Sequence, residues 1–95
     1  MVSDLASVQV TVYGHVQCVF FRAFTSRWAV ELGLTGYVRN LPWQTAVEVR
    51  AEGERDRLEK LIGHLETGPP AARVTEVVTR WSAYTGDQSS FSIEY

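Results

Sequence analysis

The segment Tyr13-Gly14-His15-Val16-Gln17-Cys18-Val19-Phe20-Phe21-Arg22 is where residue types and spacing point to chemistry. It carries the chain from an alternating β-branched stretch into an apolar stretch of helical period, so it is expected to join a strand to a helix N-terminus. At such a terminus the first backbone N–H groups have no intrahelical partner and the helix dipole is positive, which favours an anion. Arg22 falls in the first helical turn, where its charge opposes that dipole. A phosphate held between loop amides and the guanidinium removes the conflict, because the planar fork of donors matches phosphate oxygens. On these residues alone, a solvated first-turn arginine accounts for the pattern equally well.

The elements that must position this segment follow from the periodicities around it. Val8, Val10 and Val12 alternate with polar residues, as in a strand with one buried face. Phe20, Phe24, Trp28 and Leu32 recur every four residues with Phe21 and Ala29 beside them, an apolar helical stripe that Gly33 ends. Helical spacing makes these aromatics core residues before it makes them a stacking platform. Thr35 to Leu41 and Val47 to Glu52 read as two strands joined by a hairpin at Pro42, and Leu58, Leu61, Ile62 and Leu65 mark a second amphipathic helix. Pro69 and Pro70 stop that helix; Arg73 to Trp81 reads as a strand, and Phe91, Ile93 and Tyr95 alternate as a short final strand or strand extension. The order β-α-β-β-α-β, with a possible last β, predicts an α+β ferredoxin-like sandwich: a mainly antiparallel sheet of four to five strands with two helices on one face. The 95 residues are expected to form a single domain, with about residues 1–6 as an N-terminal tail.

Composition narrows the function classes. A formal charge of −2 gives no general attraction for polyanions, so nucleic acid is not an expected partner and a charged substrate needs a local site. An RNA-binding version would call for exposed aromatics on the central strands, where Gln9, Thr11 and Tyr13 stand opposite the valines. Cys18 is the single cysteine, which leaves no intramolecular disulfide and fits a reducing cytoplasm. Neither a signal peptide nor an apolar run of spanning length is present, so no membrane is expected. His15 and His64 lack metal-ligand spacing, with His64 expected on the surface. Glu48, Glu52, Glu54 and Glu59 read as solvated faces, with no pair placed for acid/base work. No motif implies a metal or cofactor, and a small domain without an apolar surface stripe is expected to be a monomer.

Gly14-His15-Val16-Gln17-Cys18-Val19-Phe20-Phe21-Arg22 resembles the acylphosphatase signature G-x-V-Q-G-V-x-[FY]-R, and Gly36-Tyr37-Val38-Arg39-Asn40, continued by Leu41-Pro42, resembles that family's second signature, G-[YW]-V-x-N. The resemblance runs on through Val47-Glu48-Val49, Glu52-Gly53 and Gly68-Pro69-Pro70 to Phe91-Ser92-Ile93-Glu94-Tyr95, so it covers Val8 to Tyr95. It implies a cytoplasmic hydrolase that cleaves the carboxyl–phosphate bond of small-molecule acyl phosphates and releases inorganic phosphate without a cofactor. It further implies that the amides of His15, Val16, Gln17, Cys18 and Val19 cradle the phosphate, that Arg22 clamps its oxygens, and that Asn40 orients the attacking water. Two departures stand out. Cys18 replaces the family glycine in the loop, which at a positive φ costs about 1–2 kcal/mol and predicts reduced activity. At a negative φ the thiol, near a helix N-terminus and Arg22, tends toward thiolate and a redox control, with an inert substitution the favoured reading. Trp43-Gln44-Thr45 replaces the usual Asp-Gly turn, and Trp43 is expected as an exposed turn aromatic in preference to a lining of the acyl side. The alternative to an enzyme is a non-catalytic ferredoxin-like module that binds an anion or a protein.

Overall fold

The computed structural model describes residues 4–17 and 20–95, so the expectations for Cys18 and Val19 fall outside the described residues. The elements are β1 (Leu5–His15), α1 (Phe21–Glu31), β2 (Thr35–Leu41), β3 (Ala46–Glu54), α2 (Arg55–Thr67), β4 (Arg73–Ser82) and β5 (Phe91–Glu94). β1 starts within the stretch read as a tail, because Ala6 and Ser7 are buried and paired with Gly53 and Glu52 of β3. The strands form one sheet in the order β4-β1-β3-β2-β5. Its first four strands pair antiparallel, and β5 closes the far edge parallel to β2. This is the ferredoxin-like order with one added edge strand.

The period of two fixes the buried face. Thr79, Val10, Val49, Val38 and Ile93 are register partners in one row across all five strands, and Val8, Val12, Val47 and Ala51 extend the apolar surface to either side. Leu58, Leu61 and Leu65 of α2 are fully buried against it, with Ile62 at the margin. In α1 the fully buried positions are Phe21, Thr25 and Ala29, with Trp28 and Leu32 partly buried beside them. The stripe is therefore rotated from the one expected, and Phe20 leaves it altogether at 84% exposure. The reason is backbone direction: Phe20 caps the helix at φ 61, outside the helical region, so its side chain does not follow the helical period. Thr25 is accommodated in the core because its hydroxyl donates to the Phe21 carbonyl at 2.9 Å. The helix ends in a Schellman arrangement, with Gly33 N–H on the Val30 carbonyl and Leu34 N–H on the Ala29 carbonyl. His64, expected on the surface, is half-buried and stacks on Trp28 at 3.7 Å between ring centroids, so the two helices meet through an aromatic pair.

Two glutamates read as solvated are buried, Glu48 at 8% exposure and Glu52 at 1%. Both lie on β3, the centre of a five-stranded sheet, where neighbouring side chains cover the outer face as well. Glu48 accepts hydrogen bonds from Arg39 Nε at 2.6 Å and Gln9 Nε2 at 2.7 Å, which tie β2 and β1 to β3. Glu52 accepts from Thr85 N–H and hydroxyl and from Gly86 N–H at 2.8–3.1 Å, pinning the irregular connection between β4 and β5 to the sheet. Burial alone raises the Glu52 carboxyl pKa, but the hydrogen bonds from Thr85 and Gly86 outweigh it and hold the group below the usual carboxylate range.

That sign fixes a pH dependence. A depressed folded-state value makes Glu52 stabilising above its unfolded value, and the contribution fades as pH falls through the folded one. Glu52→Gln is expected to lose about 1–3 kcal/mol of stability at neutral pH. Urea unfolding should show the gap between the two proteins narrowing below about pH 4; a gap independent of pH would refute the carboxylate's role.

Candidate functional site

Three elements converge at one end of the sheet. Gly14, the next-to-last residue of β1, has φ 129, and a Cβ there would lie 2.1 Å from the Arg73 carbonyl oxygen. No other residue fits, and the register of β1 against β4 shifts at this point, so the strand is turned off the sheet into the loop. Val16 is buried and anchors that loop from below. Gln17 anchors it from the side: its Nε2 lies 2.9 Å from the Gln44 and Ala46 carbonyls and 3.2 Å from that of Leu41. The loop is thus tied to the β2–β3 hairpin by a side chain that the sequence reading had valued only for its backbone N–H. His15 points to solvent and is not among the residues lining the cavity described next.

Between loop, α1 and sheet lies a cavity of about 290 Å³ that brings together Arg22 and Asn40, along with Val16, Phe20, Ile93 and Tyr95. Period two explains the sheet's share. Asn40 shares the helix-facing side of β2 with Val38, and Ile93 lies on the same side of β5. Arg22 reaches the cavity from the first turn of α1. Its Nη1 donates to the Glu94 carbonyl at 2.9 Å, and its guanidinium carbon lies 4.6 Å from the centre of the Tyr95 ring. Among the described residues it makes no ion pair, so its charge is left for a ligand.

Asn40 Oδ1 is buried and has no hydrogen-bond partner among the described residues. An orphaned acceptor costs about 1–3 kcal/mol unless a ligand or water donates to it, and the residue that carries it lines a cavity wide enough for both. Phe20 supplies the other irregularity. It is the one non-glycine with positive φ among the described residues, at a cost of about 1–2 kcal/mol. It is the N-cap of α1, so the unpartnered N–H groups that open the helix follow directly from it, and such a terminus favours an anion. The arrangement offers a cation, a helix N-terminus and an amide oxygen unpartnered among the described residues around one small space, which suits an oxyanion with a water beside it. Trp43 takes no part: it is 93% exposed in the hairpin turn, as expected of a turn aromatic. The contribution of β5 was missed, since alternation revealed a strand but not its pairing beside Asn40. Cys18 and Val19 of the candidate cradle lie outside the described residues.

The family model described as Acylphosphatase matches residues 8–93. An acylphosphatase of Dehalococcoides mccartyi is 46% identical over 88 residues, covering 93% of this chain and 97% of the relative. Among solved structures, an acylphosphatase from Coxiella burnetii superimposes with a TM-score of 0.89 at 41% identity, over 96% of this chain and 94% of that one. The acylphosphatase from Bacillus subtilis gives 0.90 at 31% identity, over 95% and 99% of the two chains.

The Gln17 tether can be tested apart from any turnover. Gln17→Ala removes the link between loop and hairpin, and the affinity for inorganic phosphate, followed by titration calorimetry, is expected to fall about fivefold or more, the equivalent of one net hydrogen bond. An unchanged affinity would show that the loop holds its shape without the side chain.

Proposed function

The chain belongs to the acylphosphatase family of enzymes, and from that premise we propose how its own residues carry the hydrolysis of an acyl phosphate to a carboxylate and inorganic phosphate. The amides of the 15–19 loop and the Arg22 guanidinium hold the phosphoryl oxygens. Asn40 Oδ1 accepts a hydrogen bond from a water and aims its oxygen at phosphorus, in line with the acyl oxygen. As the new P–O bond forms, the bond to the acyl oxygen breaks, the carboxylate leaves with the electron pair, and the water's proton passes to a phosphate oxygen or solvent. The leaving group is a weak base, so little general acid help is required, and positioning with charge stabilisation supplies most of the rate. The observation that carries this reading is the Asn40 oxygen, buried and without a partner among the described residues, on a residue that lines the same cavity as Arg22, which makes no ion pair among them.

The same reading makes residues 1–95 one acylphosphatase domain with a short N-terminal tail, a cytoplasmic monomer whose partners are the small acyl phosphate and phosphate, with no nucleic acid or membrane. It is supported by a net charge of −2 and by the lack, among the described residues, of a helix long and apolar enough to cross a membrane. Cys18 stands in the phosphate loop where the family signature has glycine, and activity below that of a glycine loop is the expected consequence.

Phosphate release from benzoyl phosphate tests the assignment of roles. Asn40→Ala should lower kcat about 10²- to 10³-fold while phosphate inhibits as before, because only water orientation is lost. Arg22→Ala should abolish turnover and weaken phosphate inhibition about tenfold or more. Small, equal effects of both would sink the assignment. Cys18→Gly is expected to raise kcat/KM; equal rates would show that the loop tolerates a side chain.

A further inference from the structure

A second recess opens on the other flank of α1. It is a groove of about 470 Å³ between α1 and the segment after α2, walled by Phe24, Trp28, Pro69 and Pro70. Phe20 and Ala23 line both this groove and the Arg22–Asn40 cavity, so the two recesses meet at the N-terminal turn of α1. We propose that the groove seats the acyl part of the substrate and selects acyl phosphates with an aromatic or medium-length aliphatic chain. This rests on reading the Arg22–Asn40 cavity as the phosphate site.

Stereochemistry supplies the direction. An in-line displacement puts the leaving oxygen on the side of phosphorus opposite the attacking water. Asn40, which orients the water, stands on β2 and lines only the first recess, whereas the groove lies on the α2 flank of the helix, where Trp28 stacks on His64. An acyl group leaving away from Asn40 therefore crosses Phe20 and Ala23 into the groove. Chemistry supplies the class: three aromatic rings and two prolines offer apolar contact and few hydrogen-bond partners, which suits a hydrocarbon chain better than a polyhydroxylated one. Arg27 is the one charged residue of the lining and makes no ion pair among the described residues, so its field favours an anionic substrate without demanding a second anionic group. Phe20 fits the same role. Its ring is 84% exposed on a strained backbone and adds nothing to the core, yet it forms the sill between phosphate and groove.

The test compares kcat/KM for benzoyl phosphate and acetyl phosphate in the wild type, Phe24→Ala and Pro70→Asp. Reading the ratio of the two substrates within each protein cancels their intrinsic reactivities and any loss of folded enzyme. Removing a ring, or placing a carboxylate in the apolar wall, is expected to lower the benzoyl-to-acetyl ratio about tenfold relative to the wild type. Pro70 is exposed, so that variant keeps the test independent of folding. A ratio unchanged within about twofold in both variants, with both substrates turned over, would overturn the groove while leaving the phosphate site standing; turnover of neither substrate by the wild type would overturn both.

Discussion

Arg22 is a cation at the positive end of a helix, and much of the structure around it serves to keep it there. Left to the dipole and to water, a first-turn guanidinium gains nothing from pointing over the loop. Here the Glu94 carbonyl and the Tyr95 ring hold it from the sheet side. Glu94 ends β5 and Tyr95 follows it, and the place of that strand depends on parallel pairing with β2. The chain reaches that edge from β4, at the opposite edge of the sheet, through an exposed irregular stretch whose firm attachment is Glu52. A buried carboxylate at one end of β3 thus supports the geometry of a guanidinium at the other end of the sheet. A phosphate between Arg22 and the loop amides, as proposed, would make favourable what the helix alone disfavours.

The second constraint is an acceptor left deliberately without a donor. Asn40 sits on the helix-facing side of β2 among residues that bury hydrocarbon, and its oxygen has no partner in the described chain. In a core this is a plain loss of stability; on the proposed function, on a residue that lines a cavity with Arg22, it would be a preorganised seat for water. A reaction whose leaving group is a carboxylate asks for little more. On the proposed roles, a site whose described lining holds neither a serine nor a histidine, with His15 exposed, would suffice for acyl phosphate hydrolysis.

The fold was legible wherever one periodicity met one environment. Val8, Val10 and Val12 alternate because one face of β1 is buried, and Leu58, Leu61 and Leu65 repeat because one side of α2 is. Gly33 closes α1 with the hydrogen bonds its position implies. The reading failed where a residue answers to two environments. Glu48 and Glu52 look like solvent-facing strand positions, yet a central strand has neighbours on its outer face too, and only tertiary packing reveals that each carboxylate has donors waiting. Arg22 and Asn40 were legible as members of two motifs, but their meeting in one cavity depends on the sheet order. Gln17 was legible as a loop residue and not as a tether, because its three carbonyl partners come from a hairpin more than twenty residues away.

Phe20 shows why that residue of misreading has functional content. Helical spacing places it in the core stripe, hydrophobicity agrees, and the backbone refuses: at φ 61 the residue belongs to the loop, and its ring stands in solvent. A fold optimised for stability alone would put glycine or asparagine at a left-handed cap, or would let the ring pack. Keeping a phenylalanine there accepts both the strain and the exposed surface at the junction between the Arg22–Asn40 cavity and the apolar groove. Local rules hold along most of this chain because they and the global fold ask for the same thing. They fail at Phe20, whose backbone is left-handed, and at Asn40, whose oxygen has no partner among the described residues; on the proposed function a ligand, absent from both the helix and the sheet, is the partner of both positions.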